Sequence, residues 1–175
     1  MSREAWKRYE SSGTPNYDIV LPGFKYNMMD IQAAIGIHQL RKLDAFIAKR
    51  SEIAHFYNAS FADVEEVRTP GLVPWDHRHA WHLYTPLIRI EKLTIDRDNF
   101  MNEMKRANIG TGLHFKAIHH HPYYRETLHV TPGELANADY ASDRILSLPL
   151  FPRMTIDDAR DVVEVVKDVI AMNRK

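Results

Sequence analysis

Histidines dominate the side chains with chemistry to offer: His77, His79 and His82 in one stretch, His114 alone, then His119, His120 and His121 in a run. Imidazole nitrogens ligate divalent metals and carry protons near neutral pH. On an extended segment His77 and His79 would face the same way, a spacing compatible with zinc. The chain has no cysteine to complete such a set, and adjacent histidines in a turn are ordinarily solvated, so no metal site is assigned. His114 stands apart. "TGLHF" alternates as a short strand with Leu113 and Phe115 on one face and His114 on the other, and nearby glycines let a ligand come close. A structural histidine held by hydrogen bonds would fit the same pattern.

Two further stretches carry polar chemistry. "GFKYN", residues 23–27, leads into a helix N-terminus, where free backbone amides and the helix dipole favour an anion such as phosphate. Lys25 adds charge and Asn27 an amide. Alternatively, Asn27 only caps the helix, three residues before Asp30, and Lys25 is solvated. "HPYYRE" places Tyr123, Tyr124 and Arg125 beside the histidine run, as the lining of a pocket or interface or as a packed loop.

The chain around these residues is 175 long and 45% hydrophobic, enough for one substantial core, with or without an appendage. Lys plus Arg and Asp plus Glu balance at 23 each, so no net field favours nucleic acid or an anionic membrane. The absence of cysteine excludes disulfides, thiolate metal sites and cysteine nucleophiles. "MSREAWKRYESSG" has no signal-peptide character, and no apolar run approaches the roughly 20 residues of a membrane span, so a cytoplasmic protein is expected.

Residues 1–22, with "ESSGTPNYD", read as a surface arm. The apolar spacing of Ile31, Ile35, Leu43, Ile47, Ala54, Tyr57 and Phe61 predicts one long helix to about Ala62, with a bend allowed. Ala33, Ala34 and Gly36 leave a small-residue patch near its start. Glycine inside a helix costs about 1 kcal/mol relative to alanine, and close approach of another backbone is the usual offset. A strand is predicted at His82–Ile90, with Pro86 marking an edge or bulge. Asp96 or Thr94 caps a helix with Phe100, Met104 and Ala107 inward, closed by Gly110. Thr131, Pro132 and Glu134 open another, carrying Leu135, Ala138, Ile145 and Leu146. "LSLPLF" is a short apolar segment, and Thr155 with Asp158 opens a last helix bearing Ala159, Val162, Val163, Val166 and Val169. This order suggests a small sheet backed by helices from about Thr69 onward, an α/β or α+β fold.

"GFKYNMMDIQAAIGIHQLRKLD", "HAWHLYTPLI", "IGTGLHFKAIHHHPYYRE" and "SLPLFPRMT" together closely resemble, in order and spacing, the C-terminal half of the DegT/DnrJ/StrS family of sugar aminotransferases, which use pyridoxal phosphate. Within that family the wording "KYN" and "GTGLHF" is most similar to the branch that makes UDP-4-amino-4-deoxy-L-arabinose for lipid A, a lipopolysaccharide modification. The resemblance implies the C-terminal part of a fold-type I aminotransferase: an interface segment and long connecting helix at 23–68, then a small C-terminal domain at 69–175. It implies a homodimer in which Asn27, with Lys25 and Tyr26 beside it, reaches the phosphate of the neighbouring subunit's pyridoxal phosphate. It implies that His114 lies by the substrate sugar, and that glutamate and a 4-keto sugar nucleotide are the reactants. The family's Schiff-base lysine and the aspartate on the pyridine nitrogen lie upstream of the matched stretches, so no catalytic residue is assigned. This chain alone is expected not to transaminate. A free-standing binding or dimerisation module with the same fold is the alternative, and a histidine-based metal protein a third.

Overall fold

A computed structural model describes residues 22, 24, 26–71, 73–131 and 133–175. The expected arm over 1–22, apart from Pro22, lies outside them, as do Lys25 and Pro132. The chain divides into two compact units between Arg41 and Lys42.

The first unit contains helix α1, Asp30–Leu40. Met29 occupies its N-cap and donates its backbone N–H to Oε1 of Gln32 at 3.1 Å. The expected cap at Asn27 is therefore corrected: the helix begins two residues further on. Helix α1 buries none of its residues, and among the described residues a Cβ built on Gly36 would meet nothing within 4 Å. The long helix expected to Ala62 is interrupted at Arg41 and Lys42, beyond which α2 (Leu43–Ser60) begins in the second unit.

The second unit holds the core. Helices α2, α3 (Arg97–Arg106) and α6 (Ile156–Asn173) close on it, with α2 and α3 both against α6. Ile53, Ala54 and Tyr57 of α2, Phe100 and Met104 of α3, and Ala159, Val162, Val163 and Val166 of α6 fill it with Phe61, Tyr84, Ile88, Leu93 and Leu146. The apolar residues of α6 recur at three- and four-residue steps, which keeps them on the buried face. Its start carries a reciprocal capping box between Thr155 and Asp158. Buried Tyr57 and Tyr84 satisfy their hydroxyls, Tyr57 donating to the Pro149 carbonyl at 2.9 Å and Tyr84 to Oδ1 of Asn58 at 2.8 Å. Burial pushes both phenols well above their ordinary titration range. Buried Glu66 is held by the Arg174 guanidinium at 2.8 and 3.2 Å, tying the end of α6 to the stretch before Val67.

The sheet is slight. Strand β1 (Val67–Arg68) pairs antiparallel with β2 (Leu87–Ile88), with Val67 opposite Ile88. The strand predicted over His82–Ile90 is shorter in ladder than in burial pattern. Tyr84, Pro86 and Ile88 alternate inward, but proline has no N–H for a continuous ladder. Isolated antiparallel bridges extend the ribbon instead: Tyr84 with Leu148, Leu87 with Ile145, and Gly112 with Ser147.

Other local expectations shift. Ala107 is exposed at the end of α3, and the chain reverses at Asn108, in the left-handed region at φ 62°, before Gly110. Thr131 and Glu134 pair through the Thr131 backbone N–H and hydroxyl, both at 3.0 Å from Oε2, but α5 begins later and spans Ala136–Arg144. Ile145 and Leu146 follow α5 in the bridging segment. "HPYYRE" is a short helix, α4 (Pro122–Leu128), opened by proline at its first position.

Candidate functional site

The site is built on the segment 142–148. Buried Arg97 donates from Nη1 to the carbonyls of Ser142 and Ile145, at 3.2 and 2.8 Å, and fixes that segment from below. On the other edge, Ser147 and Gly112 exchange both backbone hydrogen bonds, at 2.7 and 3.0 Å. The Ser142 hydroxyl accepts from the Ala117 N–H at 3.0 Å. Two buried serines, Ser142 at the end of the helix Ala136–Arg144 and Ser147 beyond it, thus hang the stretch 112–117 on the clamped segment.

His114 is placed by this arrangement. Its Nδ1 lies 2.8 Å from the Ser147 hydroxyl, and its ring stands edge-on to Phe115 with centroids 5.0 Å apart. A Cβ at position 112 would fall 2.7 Å from Cε1 of the imidazole, so only glycine leaves the ring where it is. The continuous strand expected here is not formed: only Gly112 bridges to the neighbouring segment, and Phe115 is exposed instead of packed beside Leu113. With no ladder beyond Gly112, nothing forces the side chains of 113–115 to alternate.

The histidine run lies nearby in sequence. His119 and His120, in a 3-10 turn at Ile118–His120, both reach Oδ1 of Asp139 on α5, at 2.6 and 2.7 Å. Hydrogen bonds from His119 first and His120 second hold the Asp139 carboxyl below its usual range. With Lys116, Arg125, Thr131 and Asp143 these residues line an open cleft of about 470 Å³. Tyr123 and Tyr124 are exposed on α4, stacked edge to face.

The first histidine cluster is used differently. Nδ1 of His77 contacts the Trp75 carbonyl and Nδ1 of His79 accepts from the Trp81 N–H, both at 2.9 Å. Their rings line a second cleft of about 440 Å³ with His55 and Arg78. In the first unit, Tyr26 and Asn27 are exposed just ahead of α1. With a thioether at the N-cap, the first-turn amides face no carboxylate or hydroxyl of the cap residue itself. That leaves them suited to an external anion.

Arg97, Ser142, Ser147 and Asp139 were not singled out from sequence. The alternation of Ser147 with buried Leu146 and Leu148 is a signal for the segment, but its partners lie 25 or more residues away.

Comparison with known proteins converges on one family. Residues 1–167 match the DegT/DnrJ/EryC1/StrS aminotransferase family. The chain is 48% identical over 174 residues to an uncharacterized protein of Methanocaldococcus jannaschii, covering 99% of this chain and 45% of that protein. It is 42% identical over 171 residues to the spore coat polysaccharide biosynthesis protein SpsC of Bacillus subtilis, covering 97% and 44%. It therefore spans less than half the length of these curated relatives. Among solved structures, the fold matches the PLP-form of a putative sugar aminotransferase, Spr1654, from Streptococcus pneumoniae, with TM-score 0.79 at 23% identity over 97% of this chain and 42% of that one. An aminotransferase from Brucella abortus gives 0.72 at 27% identity, covering 94% and 41%. The α/β fold and the sequence agree: the chain belongs to the DegT/DnrJ/EryC1/StrS aminotransferase family.

Proposed function

We propose that this chain is the C-terminal part of a pyridoxal-phosphate-dependent aminotransferase that transfers an amino group from glutamate to a 4-keto sugar nucleotide, within the UDP-4-amino-4-deoxy-L-arabinose branch of lipid A modification. The observation that carries the reading is the family match over 1–167 in a chain under half its relatives' length. A polysaccharide biosynthesis protein among those relatives supports a sugar substrate. The enzyme is cytoplasmic and homodimeric in this reading; no helix among the described residues is long and apolar enough to cross a membrane.

Pyridoxal phosphate, when bound, supplies the electron sink for the reaction. This chain's own residues bind and orient. Asn27, with Tyr26 and Lys25, offers an amide and a cation to the phosphate of the neighbouring subunit's cofactor, ahead of first-turn amides that suit an anion. His114, with Nδ1 engaged by Ser147, presents Nε2 to the sugar. A dimerisation module without catalysis is the second reading, favoured by the exposed apolar residues of α1.

The purified chain, given pyridoxal phosphate, glutamate and a UDP-4-keto sugar, should form no amino sugar above a heat-killed control. A longer protein containing this sequence should turn over. In it, Asn27→Asp should lower cofactor retention at unchanged melting temperature, since Asn27 is not the cap. His114→Ala should keep the cofactor and slow sugar turnover. Turnover by the chain alone overturns the partial-enzyme reading, and inactivity of the longer protein favours the module.

A further inference from the structure

His119, His120 and Asp139 bring three ligand-type atoms together. The two Nε2 atoms lie 2.6 and 2.7 Å from a single carboxylate oxygen, and all three lie within 4.8 Å of one another. Local backbone geometry does not impose this. Successive side chains of a 3-10 turn diverge by about 120°, at three residues per turn, yet both rings turn their Nε2 toward one point. The third group arrives from α5, 19 and 20 residues later. The side chains of His119, His120 and Asp139 are 10%, 30% and 27% exposed, shielded on the protein side and open on the cleft side.

We propose that His119, His120 and Asp139 form a divalent transition-metal site, suited to zinc, whose remaining coordination position opens into the cleft beside Lys116 and Arg125. Metal binding would displace the Nε2 protons that bond Asp139, leaving neutral imidazoles with their proton on Nδ1 and the Nε2 lone pair for the metal. Two imidazoles and one carboxylate with a fourth position open is a zinc donor set. Without thiolate or thioether, the set disfavours copper(I). Ligand bonds of about 2.0–2.1 Å set tetrahedral edges near 3.3 Å, so the Asp139 oxygen needs to move several tenths of an ångström away from each imidazole nitrogen, a movement its partly exposed side chain can supply. Asp143, also on the cleft wall, offsets the nearby cations. The spacing of the histidine run gave no reason to assign a metal, because the third ligand is distant in sequence. Nothing in the proposal depends on the aminotransferase reading.

The test uses the unsubstituted chain without a histidine tag, titrated with zinc chloride by calorimetry and with cobalt(II) by visible absorption. One metal per chain is expected. Asp139→Asn and His120→Ala should each weaken binding at least about tenfold, and His77→Ala with His79→Ala should leave it unchanged. Affinity should fall as pH is lowered, because protons compete with the metal for the ligand nitrogens. Zinc K-edge absorption on the unsubstituted chain should count two imidazoles, a result that does not depend on any variant folding. Absence of saturable binding, binding that survives His119→Ala with His120→Ala, or an environment without two imidazoles overturns the proposal and leaves the trio as a hydrogen-bonded latch between turn and helix.

Discussion

Helices α1 and α6 carry similar apolar stock and meet opposite fates. In α6, Ala159, Val162, Val163, Val166, Val169 and Ile170 are all buried. In α1, Ile31, Ile35, Ile37 and Leu40 are each more than half exposed, and no residue is buried. Most helical stability in proteins comes from packing an apolar face, with propensity contributing less. Helix α6 has its cover within the chain, whereas α1 shows none among the described residues. An apolar pattern therefore identifies a face that needs covering without identifying the cover. The proposed homodimer would supply it for α1, and isolated patches of this kind tend to find partners.

Removing a core contact of α6 and charging the exposed face of α1 should have opposite consequences. Phe100, fully buried on α3 where it meets α6, should lose about 3–5 kcal/mol of stability as Phe100→Ala. Ile35→Asp on α1 should change unfolding of the monomer by less than about 0.5 kcal/mol, while reducing self-association. Urea unfolding and sedimentation velocity read the two effects separately. If Ile35→Asp destabilises the monomer as Phe100→Ala does, α1 has cover within the chain. If it leaves association intact, the face is not the interface.

The helix starts extend the contrast at smaller scale. Thr155 accepts from the Asp158 N–H at 3.1 Å, and the Asp158 carboxylate accepts from the Thr155 N–H and hydroxyl at 2.8 and 2.7 Å. Thr155→Ala should destabilise by about 0.5–2 kcal/mol. The Thr155 backbone N–H first, and its hydroxyl second, hold the Asp158 carboxyl below its ordinary range. A depressed folded value gives stability that is present above the unfolded value and is lost as pH falls through the folded one. The advantage of the wild-type chain over Asp158→Asn should hold at pH 7, begin to decline near the ordinary aspartate value of about 4, and be lost as pH falls through the lower folded value. Thermal melts across that range check it, and an advantage that persists in acid would show that the carboxylate charge is not what caps α6.

How legible these features were follows from how local their causes are. The capping box at Thr155 and the inward face of α6 depend on residues within a few positions, and both were readable. The cap of α3 was readable only as Asp96 or Thr94; it is Asp96, whose carboxylate accepts from the Asn99 N–H at 2.8 Å. The break at Arg41 and Lys42 was not, because the apolar spacing continues across it from Ile35 to Leu43. The strand at "TGLHF" was over-read for the converse reason: alternation is a local signal, but a ladder needs a partner, and the partner segment meets only Gly112. His114 was picked out by its glycines, while Ser147, which holds it, was invisible at a separation of 33 residues. Asp139 escaped notice for the same reason.

The smallest effects separate the two glycines on either side of the comparison. Gly36 sits mid-helix in α1 with no described residue within 4 Å of an added Cβ, so Gly36→Ala should raise α1 helicity, by up to about 1 kcal/mol in propensity. A fall in self-association is the loss expected of it. Gly112→Ala should do the reverse. Its Cβ would meet the far end of the His114 side chain, at 2.7 Å from Cε1 and 3.1 Å from Nδ1, and that ring can swing away. Stability should therefore change by less than about 1 kcal/mol, while the 2.8 Å contact with Ser147 is lost. Ser147→Ala removes the same contact without the steric push. Nitrogen-detected NMR of the His114 ring should show both variants departing from wild type, with Gly36→Ala unmoved. If Gly112→Ala leaves the His114 resonances in place, the imidazole does not rest on the glycine. If Ser147→Ala alone leaves them in place, the hydroxyl does not orient the ring, and the presentation of Nε2 to a sugar loses its support.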